Sequence, residues 1–152
     1  MKPTLIASMA KSAVVTPKAE TPVQKPIKEA AEDSYASVVC DLLLYNTTVR
    51  VAHWKASTST NEHKALGDLY ELVDGALDNF MEVAMGNMGK REFSSTKGEL
   101  DASASVDSIL SKLRESAKKL ISLSKKNDDE DLLNIAADLL IGINKQAYLL
   151  QK

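Results

Sequence analysis

The chain has 152 residues, 44% of them apolar and 26% charged, the length and composition of one globular domain with a single core. Only 5% is aromatic, there are six Gly and four Pro, and the β-branched residues never gather into alternating runs, so an all-α fold is expected and a sandwich, barrel or doubly wound α/β fold is not. One cysteine, Cys40, excludes an internal disulfide framework and a cysteine-built zinc or iron–sulfur site. No apolar run approaches the roughly 20 residues of a membrane span. No membrane partner is expected, and the chain reads as soluble, cytoplasmic or held within a larger intracellular assembly.

The formal net charge of −2 conceals an asymmetry. Residues 1–31 carry Lys2, Lys11, Lys18, Lys25 and Lys28 against Glu20 and Glu29, a net +3, whereas the remaining 14 basic and 19 acidic side chains give −5. Pro3, Pro17, Pro22 and Pro26 all fall in that stretch, which therefore cannot be one helix and has too few apolar groups to fold alone. Residues 1–33 are expected to be an extended basic tail. Its lysines suit salt-sensitive attachment to DNA or to the acidic surface of a larger protein assembly, the plain alternative being a solvated leader without a partner.

Residues 34–152 read as four helices. The first, about Ser34 to Lys55 with Asp33 or Ser34 as its cap, sets Val38, Val39, Leu42, Leu43, Tyr45, Val49 and Ala52 at three- and four-residue steps. The second opens at about Thr60, where Ser59 and Glu62 have the spacing of a capping box, and runs to about Met88. Leu66, Leu69, Val73, Ala76, Leu77, Phe80 and Ala84 form its apolar stripe, and Gly86 and Gly89 close it. The third is expected over about Ala104 to Lys126. The fourth follows the acidic run 128–131, which suits a helix N-terminus, and extends to about Leu150.

Connection lengths select the topology. Links of about four and three residues make antiparallel hairpins of helices one and two and of helices three and four. The middle link, Gly89 to Ser103, has fifteen residues. A helix of about 27 residues is about 40 Å long, and fifteen extended residues reach roughly 50 Å, so this link can run the length of the bundle. A long central crossover is the ferritin-like arrangement, whereas an up-down bundle needs only a short turn there.

The polar residues on these helices suggest chemistry. His63, Gly67, Tyr70, Asp74 and Asp78 fall within about 80° of one another on helix two, with Glu82 at the border. His53, followed by Trp54, shares a face of helix one with Asn46 and Val49, near the end that the short turn brings to His63. The bland readings are a solvated acidic face and two structural histidines. His63 and Asp78 lie fifteen residues apart, about 22 Å by the helical rise, so one chain cannot close a shared coordination sphere. Two copies of helix two, antiparallel about a two-fold near Glu71 and Leu72, would bring His63 of one copy beside Asp78 and Glu82 of the other. Imidazole and carboxylate ligands without thiolates suit iron, manganese or zinc.

His53-Trp54 at the end of helix one, His63 at the start of helix two, and Asp78 and Glu82 at +15 and +19 from His63 resemble the intersubunit ferroxidase motif of the Dps mini-ferritins. The resemblance covers about residues 34–150 in architecture and 45–85 in motif. It implies a four-helix subunit in a homo-oligomer built on two-fold dimers, oxidation of ferrous iron, storage of ferric mineral, and DNA binding through a lysine-bearing tail. By the resemblance, iron would be held by His53 and His63 of one subunit and Asp78 and Glu82 of its mate, with Trp54 near the metal; Asp74, on the same face one turn before Asp78, is either an added ligand or surface charge. The spacing differs from the family's: ten residues separate the histidines instead of twelve, and Gly67 stands four after His63 where the family has Asp. The ordinary ferritin signature, Glu-x-x-His on two helices, is absent. The alternative is a ferritin-like structural or assembly component with a vestigial metal site, docked on a larger complex by its N-terminal arm.

Overall fold

The computed structural model describes residues 34–56, 59–88 and 98–151; the tail and its five lysines lie outside them. These residues form a four-helix bundle with no strand among them: α1 (Tyr35–Lys55), α2 (Thr60–Met88), α3 (Val106–Lys126) and α4 (Glu130–Leu150).

Side-chain caps place the starts of α1 and α3. Ser34 accepts the Ser37 amide at 3.2 Å while Ser37 Oγ accepts the Ser34 amide at 3.0 Å, a reciprocal box that begins α1. Ser105 caps α3 through the Ser108 amide. That helix therefore starts at Val106, two residues later than its apolar spacing implies, because the Ala104 amide is drawn into a turn with the Asp101 carbonyl. In the same turn the Asp101 carboxylate accepts the Ser103 hydroxyl and amide, which holds its carboxyl below the usual range. At α2, Ser59 Oγ accepts the Glu62 amide at 3.4 Å. Between α3 and α4 the Asp128 and Asp129 amides return to the Lys125 and Ser124 carbonyls with Asp128 at φ 55, so one residue of the acidic run forms a Schellman turn and does not start α4.

Each helix packs on two others. α1 contacts α2 and α3, α4 contacts α2 and α3, and α1/α4 and α2/α3 occupy the two diagonals. Tyr35, at the start of α1, meets Phe80, near the end of α2, edge to face at 5.4 Å. Lys55, the last residue of α1, donates to the carbonyl of Ala102, just ahead of α3, and Gly98 lies against Leu44, halfway along α1. The core is built from the expected stripes, among them Val38, Leu42, Leu69, Phe80, Leu113, Leu120, Leu132 and Ile143. Leu43 departs from its stripe: it is 47% exposed and lines a groove between α1 and α2.

Gly142 is buried on α4 because the Leu72 side chain of α2 occupies the space above it; an added Cβ would lie 2.4 Å from Leu72 Cδ1 and 3.0 Å from Cδ2. Gly142→Ala is therefore expected to cost about 1–3 kcal/mol by overpacking. In a Leu72→Ala background the same change should cost little. Urea unfolding of the two single variants and the double variant checks this, and additive losses would show that the two residues do not compete for the space.

Candidate functional site

The short turn between α1 and α2 fixes an antiparallel register in which Asn46, Arg50 and His53 meet Asp74, Tyr70, Gly67 and His63. At the turn the two histidine rings stack, with centroids 3.8 Å apart and planes 25° from parallel. His53 Nδ1 lies 2.7 Å from the His63 carbonyl oxygen, and His63 Nδ1 lies 2.9 Å from the His53 carbonyl oxygen. A carbonyl only accepts, so in each ring Nδ1 carries the proton and donates. Both side chains are half-buried.

Gly67 makes this approach possible. A Cβ there would stand 3.2 Å from His53 Cε1 and 3.4 Å from Nδ1, so the ring lies between the α2 backbone and the His63 ring. Further along, Tyr70 meets His53 edge to face at 5.4 Å, and the Arg50 guanidinium sits 4.8 Å from the Tyr70 centroid. Arg50 Nη2 pairs with Asp74 Oδ2 at 2.5 Å. Asn46, 2% exposed, donates Nδ2 to Asp74 Oδ1 at 2.6 Å and to the Tyr70 carbonyl at 3.1 Å.

The residues expected at a metal site thus divide into two groups. His53 and His63 come together. Asp74 lies further along the seam, where its two carboxylate oxygens accept from Asn46 and Arg50. Asp78 and Glu82 are exposed further down α2, and Trp54 is 64% exposed beside His53. Among the described residues no three His, Cys, Asp or Glu side chains gather to hold a metal. Arg50 escaped the sequence reading, although it stands four residues after Asn46 and three before His53, the spacing that keeps all three on one seam.

The donor chemistry fits a borderline divalent metal: two imidazoles with Nδ1 tied to backbone carbonyls are oriented as such ligands are when an outer partner fixes their tautomer. Asp74 and Asp78 both line a groove of about 490 Å³ whose other walls are Val39, Leu43, Gly75, Leu77 and Met81.

The packing of Gly67 yields a test. Gly→Ala in a helix ordinarily gains about 1 kcal/mol. Here the added methyl presses on a ring backed by His63, so Gly67→Ala should give no gain in the wild type and recover about 1 kcal/mol in a His53→Ala background. Equal gains in both backgrounds, read by chemical denaturation, would mean that His53 is not held against α2.

No curated protein and no solved structure matches the chain. A model of a family of unknown function, DUF5856, matches residues 53–150. That segment is nearly two thirds of the sequence and contains His53, His63, Asp78 and Glu82, and on this match the chain belongs to the DUF5856 family.

Proposed function

We propose that this chain is a ferritin-like, Dps-related iron-binding protein whose metal centre is closed across a two-fold axis, by His53 and His63 of one copy and Asp78 and Glu82 of another. The observation that carries the reading is the histidine pair, in which two imidazoles at one end of one hairpin each have Nδ1 engaged by a backbone carbonyl. The ferritin-like crossover is supported by three contacts: α2 and α3 share no interface, Ala102 lies at the C-terminal end of α1, and Gly98 lies beside Leu44 midway. Residues 98–102 run beside the second half of α1 towards the start of α3, and an up-down bundle would instead pair α2 with α3.

Ferrous iron is the substrate in this reading, and a peroxide-class oxidant takes its electrons. The residues' own part is to bind and to orient. The carbonyls of His53 and His63 fix the imidazole tautomers, and Asp78 and Glu82 supply charge to offset the ion. Tyr70 and Gly67 hold the His53 ring in place.

One observation favours a second reading, a structural or assembly role with no working metal site. The reciprocal ring-to-carbonyl bonds staple the α1–α2 turn, and that suffices to explain both histidines.

Mixing variants separates the two. His63→Ala and Asp78→Ala, each inactive alone, should regain one intact centre per heterodimer when refolded together, because the centre takes His63 from one chain and Asp78 from the other. Ferrous binding should also weaken on acidification, since only neutral imidazole and ionised carboxylate bind. If both single variants bind iron as well as wild type does, the four residues are not ligands and the structural reading stands.

The tail is proposed to attach the protein to a polyanion, DNA first. Replacing Lys2, Lys11, Lys18, Lys25 and Lys28 with Gln should flatten the dependence of log affinity on log salt by about four to five for duplex DNA. An unchanged slope would remove the tail from DNA binding.

A further inference from the structure

The outer side of α4 carries two of the three most exposed large apolar side chains among the described residues. Ile141 is 63% exposed and Tyr148 is 61% exposed, and only Trp54, at 64%, exceeds them. One exposed isoleucine on its own is ordinary. Here it belongs to a stripe: at 100° per residue Asn134, Asp138, Ile141, Lys145 and Tyr148 fall within about 80° of one another, and all five are exposed. The opposite side of the helix, with Leu132, Ala136, Leu139 and Ile143, is buried in the bundle.

The two charges of the stripe are not answered within the chain. Asp138 and Lys145 make no ion pair among the described residues, and the positions three and four residues from each hold no opposite charge. Seven residues apart, they are separated by about 10 Å along the helix and cannot reach each other. Their placement about Ile141 is nearly symmetric, since Asp138 stands three residues before it and Lys145 four after. An antiparallel copy of α4, turned about a two-fold beside Ile141, therefore sets Asp138 of each copy level with Lys145 of the other, to within about one residue's rise of 1.5 Å. The same operation brings Ile141 against its own equivalent and Asn134 level with Tyr148.

We infer that the outer side of α4 is a self-association face, on which a second copy of this chain docks antiparallel with the Ile141 pair at the centre and two Asp138–Lys145 pairs beside it. The apolar centre provides contact area, and the charges set direction and register. A parallel copy would place Asp138 beside Asp138 and Lys145 beside Lys145, which opposes that alternative. The face shares no residue with the candidate metal site. Where copies also meet across α2, two different two-folds on one chain join them beyond the dimer.

Two experiments on the full chain test the face. In a Cys40→Ala background, Ile141→Cys should give a disulfide-linked dimer under mild oxidation, whereas Ser122→Cys, exposed on α3, should not. Sedimentation equilibrium then reads the charges. Asp138→Lys alone and Lys145→Asp alone should each weaken association roughly tenfold, because two attractive pairs become two repulsive ones. An equimolar mixture of these two variants should regain wild-type association, since every contact in the mixed dimer again joins opposite charges. Association through α2 is common to all these proteins and cancels in the comparison, so the result is independent of the His63 and Asp78 mixing experiment. Charge reversals without effect, a mixture no better than either variant, equal disulfide yields at the two positions, or a wild type still monomeric at about 1 mM each overturn the proposal.

Discussion

Everything at the candidate site depends on how closely α1 approaches α2 at Gly67. The absence of a side chain there lets the His53 ring rest on the helix backbone, and the ring in turn supports His63 at stacking distance. With that contact fixed, the antiparallel register determines the rest of the seam. Arg50 falls over Tyr70 and beside Asp74, and Asn46 falls where its amide reaches both Asp74 and the Tyr70 carbonyl. The seam gains little from its ion pair, since Arg50 and Asp74 remain 43% and 45% exposed and such a pair contributes about 0–1 kcal/mol. Its effect is on register. Loss of the Asp74 carboxylate would leave the buried Asn46 amide short of an acceptor, which costs about 1–3 kcal/mol.

The apolar half of the bundle is comparatively tolerant in its chemistry and specific in its shapes. Leu72 over Gly142 and Leu44 against Gly98 are both cases where a large side chain fills space that a glycine leaves open, once between helices and once between a helix and the segment leading to α3. The Gly98–Leu44 contact sets that end of the segment against α1, and with α2 and α3 on a diagonal the outer side of α2 is uncovered by the described residues. The histidines at one end of α2 and the carboxylates further along it therefore border the same open side.

Much of the fold was legible in the sequence because it is written in helical periodicity and link length. The bounds of α2, Thr60–Met88, follow from apolar spacing and the Ser59 signal, and the hairpin of α1 and α2 follows from a link too short for any other geometry. Two details were not legible. Leu43 fits the apolar stripe of α1 yet is half-exposed, since periodicity assigns a face without knowing which neighbour is missing. Asp128 belongs to an acidic run suited to a helix start, yet backbone hydrogen bonds to Ser124 and Lys125 place it in the left-handed region ahead of α4. At the site, the pairing of His53 with His63 could be anticipated from the turn. The neutralisation of Asp74 could not, because Arg50 looks like an ordinary surface cation until its partner across the seam is known.

Gly67 also changes how the departure from the Dps pattern is to be read. Any side chain four residues after His63 would press on the His53 ring, which lies 3.2 Å from where its Cβ would be. The ten-residue spacing fits the same arrangement: a tighter turn brings the rings face to face, each with Nδ1 on the other's carbonyl. Stapling and ligation are then compatible uses of one geometry. The bonds that close the turn are the bonds that fix a metal-binding tautomer, and a pair already ordered by its backbone loses little freedom on taking up an ion. The histidine end of α2 is thus rigid and preformed within one chain. The carboxylates Asp78 and Glu82, further along α2, remain exposed.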